Sequence, residues 1–167
     1  MATPTALPAV FVSGDVLEAS QLNALRGAFR VLQVVYGSTS TSTSSSIATY
    51  ADTTLTATIT PSATSNKVLV IVNQTGIYKS AGNAANGVNL KLLRGATDLG
   101  SLALGAGYTN TAIENIGTSV GASVLDSPAT VSATTYKTQF ANQFAGAAVS
   151  VQTLGTLSTI ILMEISA

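Results

Sequence analysis

Residues 53–60 read TTLTATIT: Leu55, Ala57 and Ile59 take every second position, and threonines fill the positions between. Successive side chains of a β-strand point to opposite faces, so this period of two sets an apolar face against a hydroxyl face. A helix, with its period of 3.6, would scatter the same residues around its axis. The alternation returns in GVNLKLLRG at 87–95, with Asn89 and Lys91 outward. It returns again in TTYKTQF at 134–140, where Tyr136, Thr138 and Phe140 alternate with Lys137 and Gln139. KVLVIVNQ at 67–74 is apolar on both faces, as is STIILMEI at 158–165 apart from Glu164; this is the pattern of strands covered on both sides. RVLQVVYG at 30–37 has the β-branched density of a further strand.

Breaks rich in Gly, Ser, Thr and Asn separate these runs at intervals of about 8 to 15 residues, the spacing of a sandwich or barrel. No second amphipathic helix falls between strands, which argues against βαβ units. The expected class is all-β, a sandwich over residues 31–167 preceded by an N-terminal arm and one short helix over residues 1–30. In the arm, Pro4 and Pro8 favour extended chain. In the helix Ser20 can act as N-cap, Leu22, Leu25 and Phe29 form a narrow apolar stripe, and Gly27 weakens the last turn. That stripe either packs on the domain or docks on a partner. STSTSTSSS at 38–46 has no apolar residue to offset the entropy of ordering, and is expected to be a solvated loop or, less favourably, a domain boundary.

Charged residues make up only 8% of the 167 residues, against about 25% in ordinary soluble proteins. Seven bases balance seven acids, so little repulsion keeps copies apart, and no basic patch exists to meet phosphates. Self-association is expected, nucleic acid is not. If STIILMEI is double-faced, its second face meets another subunit, which places Ile161 and Leu162 at the seam of a symmetric homo-oligomer.

The chain has no His, no Cys and no Trp. A Ser-His-Asp or Cys-His nucleophile and a zinc site of the usual nitrogen or sulfur ligands are therefore unavailable to it. The GAG at 105–107 does not continue into a dinucleotide-binding pattern, and its glycines are expected in a loop. The acids Asp15, Glu18, Asp52, Asp98, Glu114, Asp126 and Glu164 are scattered, with no calcium-loop spacing. Neither enzyme activity nor a cofactor or metal is expected. Tyr78 and Tyr108 lie in Gly- and Asn-rich segments that read as loops; there an aromatic ring can stack on a sugar, anchor an interface or cap the core edge. No apolar run approaches the roughly 20 residues of a membrane span. The opening MATPTALPAVFV lacks a basic signal region, so synthesis in the cytoplasm is expected.

Several segments together resemble a recurrent domain of tailed-bacteriophage structural proteins. In order they are VLQVVYG, ITPSATSNKVLVIV, NLKLLRG, LDSPATVSATTYKTQF and STIILMEI. SGDVLEASQLNALRG upstream is similar to the G-D-V-x-x-A-S-x-L-N stretch near the N-terminus of tail-fibre and related appendage proteins. The resemblance implies a jelly roll like the tumour-necrosis-factor-like domains, a homotrimer about a three-fold axis. It also implies attachment of the N-terminal segment to other virion proteins of the tail, portal region or capsid, with Leu22, Leu25 and Phe29 as the anchoring stripe. The jelly roll would then project outward, able to meet a host surface glycan. Many relatives carry a long shaft, and here the globular part follows the anchor almost directly. A short tail or head fibre is thus the first expectation, a capsid decoration protein the second, and a polysaccharide-degrading tailspike the third.

Overall fold

The computed structural model describes residues 30–79, 86–110, 116–144, 146 and 148–166. The expected arm, the helix and its stripe Leu22, Leu25 and Phe29 lie outside the described residues. Among the described residues there are ten strands: β1 (Val31–Thr39), β2 (Thr43–Ser45), β3 (Ala51–Ile59), β4 (Lys67–Lys79), β5 (Asn86–Arg94), β6 (Thr97–Thr109), β7 (Ile116–Asp126), β8 (Thr134–Asn142), β9 (Val149–Val151) and β10 (Ser158–Ile165).

Pairing is antiparallel throughout. β10 lies against the first half of β4 and β9 against its end, so β9 and β10 form one interrupted strand; β1 and β2 pair with them in the same way. On the other side of β4 runs β7. One layer is therefore β1/β2, β9/β10, β4, β7, and the other is β3, β8, β5, β6. The chain crosses between layers after β2, β3, β4, β6, β7 and β8, which is the strand order of an eight-stranded jelly roll.

The alternation read from the sequence builds the core directly. Leu55, Ala57 and Ile59 are buried, as are Val68, Val70 and Val72 of β4, and Thr54, Thr56 and Thr58 face solvent. They join Leu92, Tyr136, Ile160 and Leu162 in one apolar cluster; Ile77, Val88, Leu90, Phe140, Val149 and Val151 form a second. Each fully buried Val, Leu, Ile or Phe among them contributes about 1.5–3 kcal/mol.

A band of buried polar side chains, Thr53, Gln74, Thr138, Gln152 and Ser158, accompanies the irregular backbone of the sandwich. Thr138 donates its hydroxyl to Gln74 Oε1 at 3.0 Å, and Gln74 Nε2 donates to Ser158 Oγ at 3.1 Å. Nearby, Thr54, Gly76, Gln152 and Leu154 all have positive φ, where β3, β4 and the β9/β10 strand depart from regular geometry. A bulge breaks the ladder and leaves backbone groups to be satisfied. Ser158 Oγ accepts the Thr75 N–H at 2.9 Å, and the Thr75 carbonyl accepts the Gln152 N–H at 3.1 Å.

Two sequence expectations are corrected here. The run at 38–46 is neither a free loop nor a boundary: β1 continues to Thr39, and Thr43–Ser45 pairs with Val151, Ser150 and Val149. Ladder hydrogen bonds order it where burial could not. The GAG at 105–107 lies inside β6, with Gly105 and Gly107 at φ 70° and 67°. These glycines absorb register shifts against β5, and a side chain on Gly87 would run into the Gly105 backbone.

Candidate interaction surfaces

Four carboxylates are among the described residues, and each is tied to its own partners. Asp52 accepts from Lys137 Nζ at 2.9 Å and Gln139 Nε2 at 2.8 Å; the Lys137 hydrogen bond holds it below the usual carboxylate range. Asp98 accepts from the Gly100 N–H at 2.9 Å and Lys91 Nζ at 3.1 Å, and these lower its pKa in that order. Asp126 accepts from Arg94 Nη1 through both oxygens, at 2.8 and 2.7 Å, and from the Tyr136 hydroxyl at 2.7 Å. Burial first, and then that carboxylate, push the Tyr136 phenol well above its ordinary range.

Glu164 is fully buried at the end of β10, on the same face as Ile160 and Leu162. One oxygen accepts from Ser62 and from Asn66 Nδ2 at 2.6 Å, the other from Gln33 Nε2 at 2.6 Å. Burial alone would raise its pKa, but these bonds outweigh it and hold the group at about 2. Sequence reasoning missed this latch: Glu164 stood out there only as the one charge in an otherwise apolar strand. Among the described residues no three acidic, His or Cys side chains gather as a metal site would require.

The residues singled out for interaction separate. Leu162 is in the core, completely buried within the one chain, so it cannot form a seam with another subunit. Ile161, its neighbour, points out from the opposite face of β10 and is half-buried. Tyr78 and Tyr108 belong to strands, β4 and β6, and not to loops. They stand in different layers. Tyr108 is 46% exposed, whereas Tyr78 is half-buried against Gly117, where an added Cβ would lie 3.1 Å from its ring.

Tyr78 borders a shallow groove of about 290 Å³, lined also by Gly76, Thr118, Ser119, Thr153, Leu154 and Thr156. Gly76 makes the groove possible: its φ is +56°, and a side chain there would collide with the Thr156 hydroxyl. The lining offers hydroxyls, one aromatic ring and, apart from the Tyr78 phenol, no ionisable acid or base, and its Leu154 stands 88% exposed. Such a surface suits a neutral ligand with an apolar face and hydroxyls.

These features define an antiparallel jelly-roll protein whose described acids serve structure. No protein-family model matches the chain, and no curated protein matches it. Among solved structures, the infectious bursal disease virus VP2 subviral particle is similar over 81% of this chain and 33% of that one, at 11% identity and a TM-score of 0.45. The structure of the Gx strain of the same virus is similar over 81% of this chain and 37% of that one, at 11% identity and a TM-score of 0.32. The chain thus spans about a third of the length of those viral chains. The jelly-roll assignment itself stands on the strand order.

Proposed function

We propose that this protein is a non-enzymatic structural component of a virus particle, a homotrimeric surface appendage of a tailed bacteriophage such as a short tail or head fibre. The observation that carries the proposal is the eight-stranded jelly roll with a nearly uncharged surface, in which the described carboxylates are committed to structural hydrogen bonds. A hydrolase of polysaccharide needs two carboxyl groups facing one bond. Here Asp52, Asp98, Asp126 and Glu164 each hold a separate partner set, which speaks against a tailspike hydrolase. The resemblance to phage appendage segments supplies the class of particle and the three-fold symmetry. A capsid decoration protein is the second reading, since a nearly uncharged jelly roll without a paired set of free acids among the described residues suits that role as well. The Tyr78 groove is the place where a host surface glycan would bind.

Particles of the parent virus, purified on a density gradient, should contain the chain. Quantitative mass spectrometry then separates the two readings: small multiples of three place it on the tail or a fibre, and hundreds of copies place it on the head. Absence of the chain from intact particles would overturn both.

A further inference from the structure

The surface hydroxyls of this molecule fall into two groups. Around β3 they are used up within the chain. Thr56 donates to the Tyr136 carbonyl at 3.1 Å, Thr58 and Thr135 share a hydrogen bond of 2.8 Å, and Thr39 and Thr54 share one of 2.9 Å. Around the Tyr78 groove they are free. Thr118, Ser119 and Thr156 line it, and their hydroxyls bond no protein group among the described residues. Ser119 and Thr156 are exposed. Thr153 Oγ1, in the same lining, is enclosed and also has no partner.

The turn between β9 and β10, which carries Thr153 and Thr156, is strained. Gln152 and Leu154 both lie in the left-handed region, at φ 53° and 59°, where a side chain is disfavoured. Gln152 is fully buried in the polar band, which accounts for its place. Leu154 is 88% exposed. It combines an unfavourable backbone with an apolar side chain in water, and no burial offsets either. Glycine would serve that backbone better, as it does next door at Gly155, φ 71°. Strained residues of this kind gather at ligand sites.

The ligand's chemistry follows from the lining. Leu154 and Tyr78 supply apolar surface, and Ser119 and Thr156 supply hydroxyls that both donate and accept. A carboxylate, sulfate or phosphate entering the groove would lose water and gain no counter-charge. At about 290 Å³ the groove lies at the lower limit of small-molecule pockets, roughly 300–1,000 Å³. It has room for a ring or two and none for a folded partner. A pyranose joins the two chemistries, with hydroxyls around its edge and a face of C–H groups.

We infer that the groove is a subsite for a neutral pyranose that rejects acidic sugars. Leu154 and Tyr78 meet the C–H face of the ring, and Ser119 and Thr156 bond its hydroxyls. The inference rests on the glycan-binding role proposed above, names the class of sugar and gives the exposed Leu154 its function.

The test uses the full-length chain in saturation-transfer NMR. The probes are millimolar neutral oligosaccharides of glucose, galactose, mannose, rhamnose and N-acetylglucosamine, beside counterparts carrying uronate, sialate or phosphate. At least one neutral probe should bind, and more tightly than its acidic counterpart. Leu154→Gly should weaken that binding about tenfold while holding or raising the melting temperature, because glycine suits φ 59°. Thr156→Val, which keeps the shape and removes the hydroxyl, should also weaken binding and serves if Leu154→Gly misfolds. Leu104→Ser, at a leucine 71% exposed on β6, should bind as wild type does. Failure of every neutral probe, an equal or greater affinity for acidic ones, or capture of a Ser- and Thr-rich peptide in place of any sugar would each overturn the subsite. So would wild-type binding by both Leu154→Gly and Thr156→Val, which would move the sugar elsewhere on the molecule. A fall in melting temperature for Leu154→Gly would return Leu154 to a role in folding and overturn its role as a ligand contact. Binding in the expected pattern supports the subsite even if the chain proves absent from particles, so the virion role and the sugar site fail separately.

Discussion

Ser62 offers both its backbone N–H and its hydroxyl to the same carboxylate oxygen of Glu164, at 2.6 and 2.8 Å. Asn66 Nδ2 meets that oxygen too, while Gln33 Nε2 donates at once to the other oxygen and to the Thr60 carbonyl at 2.7 Å. One buried charge thereby ties the turn between β3 and β4 to β1 and the end of β10. The connection between the two layers is fixed at the point where the chain leaves one for the other.

The pH dependence of this latch has a definite sign. Glu164 ionises at about 2 in the folded protein against an ordinary 4.5, so its contribution is fully present above pH 4.5 and is lost as pH falls toward 2. Glu164→Gln keeps the size and removes the charge. Denaturant titrations should show wild type more stable than the variant at neutral pH, with the gap closing between about pH 4.5 and 2. A gap that stays constant over that window means the charge does not carry the latch.

Tyr136→Phe should cost about 1.5–3 kcal/mol, the range for a hydrogen bond to a charged acceptor. The hydroxyl reaches Asp126 on β7 from β8 in the opposite layer, and Arg94 on β5 grips the same carboxylate. The substitution leaves the ring and its packing in place, so any loss belongs to the bond across the sandwich. An unchanged urea midpoint would show that Arg94 alone satisfies Asp126.

What the sequence revealed follows the physics of each element. Leu55, Ala57 and Ile59 announced their face because burial and period act within a few neighbouring residues. Ser38 to Ser46 did not, because strand pairing with β9 orders that segment and pairing leaves no local signature. Glycine content likewise suggested loops around Tyr78 and Tyr108, whereas the glycines sit in bulges that bend strands without ending them. Glu164 stood out as the one charge in an apolar run, but its donors lie 131, 102 and 98 residues away in the chain. Ile161 and Leu162 were read as one seam because a doubly apolar strand does not reveal which face is the core.

At Gly37 in β1 the backbone leaves no room for a side chain against β3 of the other layer. A Cβ there would press on the Thr56 carbonyl and lie 3.0 Å from Ile160 Cγ2 and 3.1 Å from Ala57 Cβ. Gly37→Ala should destabilise by about 1–3 kcal/mol through overpacking. Gly121→Ala meets nothing within 4 Å and should be neutral or slightly stabilising. Thermal melts of the two variants in parallel check the contrast, and similar shifts for both would contradict the close approach of β1 to β3.

Ile161 and Leu162 are adjacent in sequence and opposite in role, so alanine at each should separate folding from assembly. Leu162→Ala empties a position in the core among Val70, Tyr136 and Ile160, and cavity formation there should cost about 2–5 kcal/mol at any protein concentration. Ile161→Ala removes atoms from the outer face, where the isolated chain leaves them partly in water, so dilute protein should lose about 1 kcal/mol or less. At high concentration the same variant should lose more, because assembly stabilises the folded state by mass action and the variant assembles less tightly. Denaturant midpoints measured at nanomolar and at high micromolar protein distinguish the two patterns. If Ile161→Ala proves as costly as Leu162→Ala in dilute solution, the outer face of β10 is covered within the single chain and no second copy is needed to explain it.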